Sequence, residues 1–306
     1  NKSLTILLEP LIHSQINSIG TGQNNNLSKE ALKDIEFVFP KEEKEQQKIA
    51  SCLSSLDEVI EAHSQKLELL KDHKKGLTQN LFPQEGEKIP KFRFKEFEGE
   101  WEEKKLGNMY SFKVTNSFSR DNLNYEKGDV KNIHYGDIHK QFRAMFDITR
   151  EDVPFINLDL PIEKISLENY CKEGDMIFAD ASEDLTDIGK AIEIVNLNNE
   201  KLVSGLHTLL ARPNLEDLSI GFGAYLFQSS RIRKQIQKES QGTKVLGISA
   251  TRLLSISILF PSKPEQQKIA SCLSELDDLI TAQTDKIEQL KLHKKGLMQG
   301  LFPKTV

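Results

Sequence analysis

Four carboxylates, Asp180, Glu183, Asp184 and Asp187, crowd the stretch DASEDLTDIGK, with Lys190 close behind them. Carboxylates converging with a lysine are the equipment of a Mg²⁺-dependent nuclease, where the ion clamps the oxygens of an in-line displacement. Such sites collect their ligands from separate strands, and these acids share one loop. Turn formation and N-capping ahead of the segment Ile188–Val195 is the simpler expectation. His134, His139 and His207 lack the spacing of a metal-binding set, and Cys52, Cys171 and Cys272 form no Cys-x-x-Cys pair. The chain carries no Gly-x-Ser-x-Gly, His-Glu-x-x-His or P-loop pattern, and no Asn-Pro-Pro-Tyr-type methyltransferase motif. These residues predict a non-catalytic chain with no metal or cofactor of its own.

Charge is more informative in its distribution than in its sum. The formal net charge is −5, which does not advertise a polyanionic partner. Residues 151–200 hold 13 acids against three bases, Lys164, Lys172 and Lys190. Residues 231–252 hold six bases, Arg231, Arg233, Lys234, Lys238, Lys244 and Arg252, against the single acid Glu239. A weakly acidic chain can thus present one strongly positive face. No apolar run approaches the ~18 residues of a membrane span, and the start has no secretory signal pattern. A cytoplasmic chain with reduced thiols and no membrane contact is expected.

The element that must position these residues occurs twice. Glu45–Pro83 and Glu265–Pro303 align at a fixed offset of 220 residues with 27 of 39 positions identical, which marks an internal repeat. In the first copy Ile49, Leu53, Leu56, Ile60, Leu67, Leu70 and Leu77 fall on a heptad seam. In the second, Ile269, Leu273, Leu276, Ile280, Ile287, Leu290 and Leu297 repeat it. Both seams pass through polar residues at matched places, His63 with Gln283 and Lys74 with Lys294. A polar seam residue costs stability but fixes register and partner. Each helix should run roughly 55–60 Å at 1.5 Å per residue and stop at Pro83 or Pro303. The two helices of one chain are expected to pack on each other as an antiparallel coiled-coil spacer.

Taken in order, residues 1–40 read as the C-terminal remnant of a first globular domain: a short helix within Leu4–Ile19, a Gly/Asn-rich loop Gly20–Ser28 and a strand Ile35–Phe39. The same succession precedes the second long helix, with a helix around Tyr225–Ser240, a loop Gln241–Ser249 and a strand Ile256–Phe260. The division is therefore remnant 1–40, first long helix 41–83, polar linker 84–90, second globular domain 91–262 and second long helix 263–303. Strand candidates Val130–Tyr135, Asp175–Ala179, Ala191–Val195 and Leu206–Ala211 predict an α/β (α+β) domain around a twisted, mostly antiparallel sheet.

The segments PKFRFKEFEGEWEEKKLG, EGDMIFADASEDLTDIGKAIEI and SGLHTLLARP, the QGTKV loop, the LFPSKPEQQKIA entry and the duplicated helix ending KKGLMQGLFP follow one another in a telling order. Together they resemble the specificity subunit of type I restriction-modification systems over essentially the whole chain. The resemblance implies two target recognition domains, each reading one half of a split site in double-stranded DNA. It implies a helix pair that sets the distance between half-sites and docks two methyltransferase (modification) subunits. Two ATP-driven translocating restriction subunits complete such an enzyme, so S-adenosylmethionine, ATP and Mg²⁺ belong to partner subunits. Most of the first recognition domain has no counterpart here. Either an upstream part exists, or the chain is a shortened subunit that pairs with a second copy of itself.

In that role, Lys and Arg contact phosphates and uncharged donors and acceptors reach the bases. The expected DNA contacts are Arg231, Arg233, Lys234 and Lys238, then Gln241, Thr243, Lys244, Ser249 and Arg252 in and after the loop. A second recognition stretch is expected at Asn132–Arg143, through His134, Tyr135, His139, Lys140 and Arg143. Two alternatives stand beside this reading: a coiled-coil scaffold that binds proteins and no DNA, and a Mg²⁺-dependent nuclease.

Overall fold

The computed structural model describes residues 40–301; the helix, loop and strand expected within residues 1–39, and the stop at Pro303, lie outside them. Among the described residues two compact units are present, one comprising 40–72 together with 277–301, the other His73–Leu276. The helices among the described residues are α1 (Glu43–Leu81), α2 (Tyr135–Lys140), α3 (Phe222–Leu226), α4 (Ser230–Glu239), α5 (Ala250–Ser255) and α6 (Lys263–Leu301).

The first unit is a helix pair. Glu43 and Glu45 place negative charge in the first turn of α1, where the helix dipole favours it, and the Gln46 side-chain amide donates to the Pro40 carbonyl at 2.7 Å. Ile49 and Leu53 are buried against Met298 and Leu301. Further along, Lys294 reaches Asp57 at 2.5 Å and Gln283 reaches His63 at 2.7 Å. Advancing along α1 thus means retreating along α6: the helices run antiparallel, as expected.

The second unit is mixed α/β. Its strands are β1 (Glu102–Lys105), β2 (Tyr110–Lys113), β3 (Leu123–Asn124), β4 (Lys131–Ile133), β5 (Met145–Asp147), β6 (Phe155–Ile156) and β7 (Met176–Ala179). There follow β8 (Ala181–Ser182), β9 (Ala191–Asn196), β10 (Leu202–Ser204), β11 (Thr208–Pro213), β12 (Leu246–Gly247) and β13 (Ser257–Phe260). The central sheet has the order β2-β11-β7-β9-β5 and is antiparallel except where β5 joins β9. A second sheet runs β10-β4-β6-β3, and two short ladders pair β1 with β13 and β8 with β12.

Strand β7, MIFA, is buried at every residue. A strand with both faces covered loses the apolar/polar alternation of a half-exposed one. Met176 and Phe178 face one core with Trp101, Phe222, Tyr225 and Phe227. Ile177 and Ala179 face the other, with Ile133, Ile138, Phe146 and Ile194. The first core also takes Leu81, Phe82, Ile269 and Leu273, with Leu77 packed against it. The seam positions Leu77, Ile269 and Leu273 therefore serve the globular core, a correction to their reading as coiled-coil residues alone. Two further expectations are corrected. The helix around Tyr225–Ser240 is broken at Phe227–Ser229 into α3 and α4, and the loop expected at Gln241–Ser249 contains the short strand β12 before Ser249 caps α5 by accepting from the Arg252 amide.

Candidate nucleic-acid interface

Three distant parts of the chain converge on the backbone of Asp180–Ser182, immediately after β7. On one side β8 pairs with β12, with Gly247 opposite Ala181 and Leu246 opposite Ser182, and the Ile248 amide donates to the Asp180 carbonyl at 2.8 Å. This anchors the loop 241–247, which closes on itself through reciprocal Gln241–Gly247 backbone bonds of 2.9 and 2.7 Å. The closure demands glycine at position 242. There φ is +128°, and a Cβ would come within 2.0 Å of the Val245 carbonyl oxygen. On a second side His139 Nε2 lies 3.0 Å from the Ala181 carbonyl oxygen, and Lys190 Nζ donates to the His139 carbonyl at 2.8 Å. On the third, the Asp180 amide donates to the His207 carbonyl at 3.1 Å, and Asp180 Oδ1 sits 3.2 Å from His207 Nδ1. The two stretches singled out in the sequence, 132–143 and 231–252, are thus brought to one loop.

Between them lies an aromatic cluster. The Tyr135 ring is 4.7 Å from that of His134, 5.3 Å from His207 and 6.2 Å from His139. His134 itself serves the fold: its Nδ1 accepts from the Gly136 amide at 3.1 Å and caps α2. Burial, and then the Arg120 guanidinium, push its pKa down, which keeps the ring a neutral acceptor. Arg120 in turn grips the buried Asp137 with two bonds, of 2.9 and 2.7 Å, the bidentate fork that suits guanidinium to carboxylate.

Several expected DNA contacts have internal partners instead. Arg231 donates to the Glu87 carbonyl at 3.0 Å and pairs with Glu103 at 2.9 Å. Arg233 donates to the carbonyls of Thr186, Ile188 and Gly189 at 2.5–3.1 Å, and burial lowers its pKa. Arg252 bonds the Glu239 carbonyl at 3.0 Å and its carboxylate at 3.3 Å. Arg231 and Arg233 thus engage both terminal nitrogens within the fold, whereas Arg252 engages Nη1 alone. Arg143 is half-buried, and Ser249, though exposed, is occupied as a cap. Lys234 is exposed beside Glu85, at 3.7 Å. Exposed side chains remain at Lys140, Lys238, Gln241, Thr243 and Lys244.

The acidic stretch is a turn. Asp184 accepts from the Thr186 amide at 2.8 Å, its own amide donates to Ser182 Oγ at 3.0 Å, and its carbonyl receives the Asp187 and Ile188 amides at 3.1 Å. Strand β9 follows, so the N-capping part of the expectation is corrected: no helix starts there for these acids to cap. Among the described residues no group of three or more His, Cys, Asp or Glu is placed to hold a metal ion, and no helix is long and apolar enough to cross a membrane.

Sequence reasoning passed over Arg120, Asp180 and His207 as parts of one cluster. His207 was visible inside the SGLHT segment, but its backbone conformation, φ +56°, was not.

Comparison with known proteins bears on this geometry. The family model for the type I restriction modification DNA specificity domain matches residues 1–72 and 98–292. A putative type I restriction enzyme MjaX specificity subunit of Methanocaldococcus jannaschii is 27% identical over 281 residues, covering 91% of this chain and 61% of the relative. The MjaVIII specificity subunit of the same organism is 27% identical over 305 residues, covering 97% of this chain and 67% of that one. The chain thus spans less than two thirds of the first of these relatives. In fold it is similar to the type I S subunit of M. genitalium, with TM-score 0.58, 14% identity, and coverage of 100% of this chain and 73% of that one. It is also similar to a chain from a study of complex assembly in a type I system, with TM-score 0.61, 14% identity, and 99% and 69% coverage. The chain belongs to the type I restriction-modification DNA specificity family.

Proposed function

We propose that this chain is a DNA sequence-recognition subunit of a type I restriction-modification enzyme. Its globular unit reads one half of a bipartite duplex site. Its helix pair sets the half-site separation and docks two methyltransferase subunits, and restriction subunits complete the assembly. S-adenosylmethionine, ATP and Mg²⁺ act in those partners; this chain, working in the cytoplasm, supplies recognition and no bond-breaking chemistry.

The observation that carries this reading is the convergence on Asp180–Ser182 of a rigid glycine-closed loop, the last turn of α2 and the His207 turn. Sites of recognition are built on loops that a scaffold holds still. With Arg231, Arg233 and Arg252 engaged internally, phosphate contact falls to the exposed Lys140, Lys238 and Lys244. A protein-only scaffold would need the helix pair but not this loop cluster.

The test is duplex binding by the complex assembled with its methyltransferase partner, for wild type and a K140A/K238A/K244A variant. For every lysine that faces a phosphate, its removal should flatten the slope of log K against log salt by about 0.9. A variant with unchanged salt slope and affinity would contradict the assignment.

A further inference from the structure

We propose that His207 reads a base edge in duplex DNA through Nε2, accepting a hydrogen bond from an exocyclic amino group, adenine N6 or cytosine N4, with Asp180 as its positioning residue. The inference rests on the DNA-recognition reading above and assigns it a reading atom.

The backbone is the first argument. His207 has φ +56°, in the left-handed region that non-glycine residues seldom occupy. Such conformations persist only where the surroundings over-determine them, and they gather at functional sites. The surroundings here do so. Ser204 Oγ and Thr208 Oγ1 lie 2.6 Å apart, and Thr208 Oγ1 donates to the Gly205 carbonyl at 2.5 Å. The Gly205 amide donates to the Ile133 carbonyl at 2.9 Å, and the Asn116 side-chain amide holds the Ser204 carbonyl at 3.0 Å. Gly205 is packed so closely on Asn132 that a Cβ would meet its Nδ2 at 2.4 Å. The turn is a rigid pedestal beneath a side chain that is 51% exposed.

The ring's chemistry is the second argument. A carboxylate oxygen only accepts, so the 3.2 Å contact to Asp180 Oδ1 requires the proton on His207 Nδ1. In the neutral ring Nε2 then carries a lone pair. In the major groove the donors that match it are the amino groups of adenine and cytosine. A phosphate would be a poor match, because it offers only acceptors and would face the Asp180 carboxylate.

Unspent polarity in the same cluster is the third. Asn132 Nδ2, beneath the turn, is a buried polar atom without a hydrogen-bond partner among the described residues, and His139 Nδ1, beside Tyr135, is another, with the Asp187 carboxylate 3.9 Å away. Such atoms in native structures call for a functional or solvent explanation.

His207→Gly is the discriminating variant, because glycine removes the ring and fits the left-handed backbone without strain. The assembled complex, wild type and H207G, is selected on a pool of duplexes randomised across the half-site. H207G should fold with an unchanged or raised melting temperature, keep its motif elsewhere, and lose preference at one base pair by about 10-fold, the scale of one base contact. D180N should weaken preference at that same pair. Replacing the base there by its analogue lacking the amino group, purine for adenine or pyrimidin-2-one for cytosine, should cost wild type about 10-fold and H207G nothing. An unchanged motif in H207G would overturn the role of His207 while leaving DNA recognition standing. Absence of any motif with wild type would overturn both.

Discussion

His63 and Gln283 occupy the same position in the two copies of the repeated helix, and they bond to each other. Gln283 Nε2 lies 2.7 Å from His63 Nδ1 and 2.8 Å from the His63 carbonyl oxygen. Residues related by an internal repeat meet only near the pseudo-two-fold axis that relates the copies, so this pair marks where the axis crosses the helix pair. A polar pair at the dyad thereby fixes the antiparallel register.

Replacing Gln283 alone by Ala should cost about 1–2 kcal/mol, because it strands the buried side of His63. The double change H63L/Q283L should recover that loss or exceed it while loosening the register. Thermal melts combined with light scattering would read both effects. A double variant less stable than Q283A would contradict the account.

Register should also appear in function. One heptad inserted after Leu70 preserves the seam and should lengthen the gap between half-sites without changing either half-site sequence. Four inserted residues carry the seam to another face and should lower stability instead. Mapping of methylated sites, with melting curves, separates the two outcomes.

Glu193 supplies a pH signature. Its carboxylate is buried at the start of α3, where it accepts from the Gly221 and Ala224 amides at 2.7 Å each. Burial outweighs those donors and pushes its pKa from 4.5 up to about 7. A carboxyl that holds its proton more tightly in the folded state contributes stability that is full below pH 4.5 and is lost as the pH rises through 7. The melting temperature should therefore fall across that window. E193Q should flatten this dependence, at a constant cost of about 1–3 kcal/mol because Gln offers only one acceptor to two amides.

Arg233→Ala should act on the fold rather than on phosphate contact. Its guanidinium collects the carbonyls of Thr186, Ile188 and Gly189, and its loss should cost about 1–3 kcal/mol. Hydrogen exchange should show the 183–190 turn opening first. Protection unchanged in that turn would contradict the assignment.

Much of this was legible in the residues. A heptad repeated at a fixed offset announced the helix pair, though not that Leu77, Ile269 and Leu273 would join the globular core, and the polar pair His63/Gln283 was visible as a matched break in it. The apolar run of β7 and the strands at 191–196 and 208–213 announced themselves through composition. What stayed hidden depends on long-range closure. Nothing local tells Arg231 and Arg233, basic and surface-like in pattern, that carbonyls more than 40 residues away will engage them. The two-residue strands β8 and β12 are too short to leave a period, yet they join the recognition stretches. The left-handed turn at His207 follows from the buried Ser204–Thr208 bond, which has no signature beyond two hydroxyls four residues apart.

The most direct measurement of the central claim is selection of the assembled complex on randomised duplex DNA. The account predicts a bipartite motif with one half-site contributed by residues 91–262, so that exchanging that segment for its counterpart from a relative changes one half of the motif and leaves the spacing intact. Binding that enriches no motif, or a motif indifferent to the exchange, would contradict it.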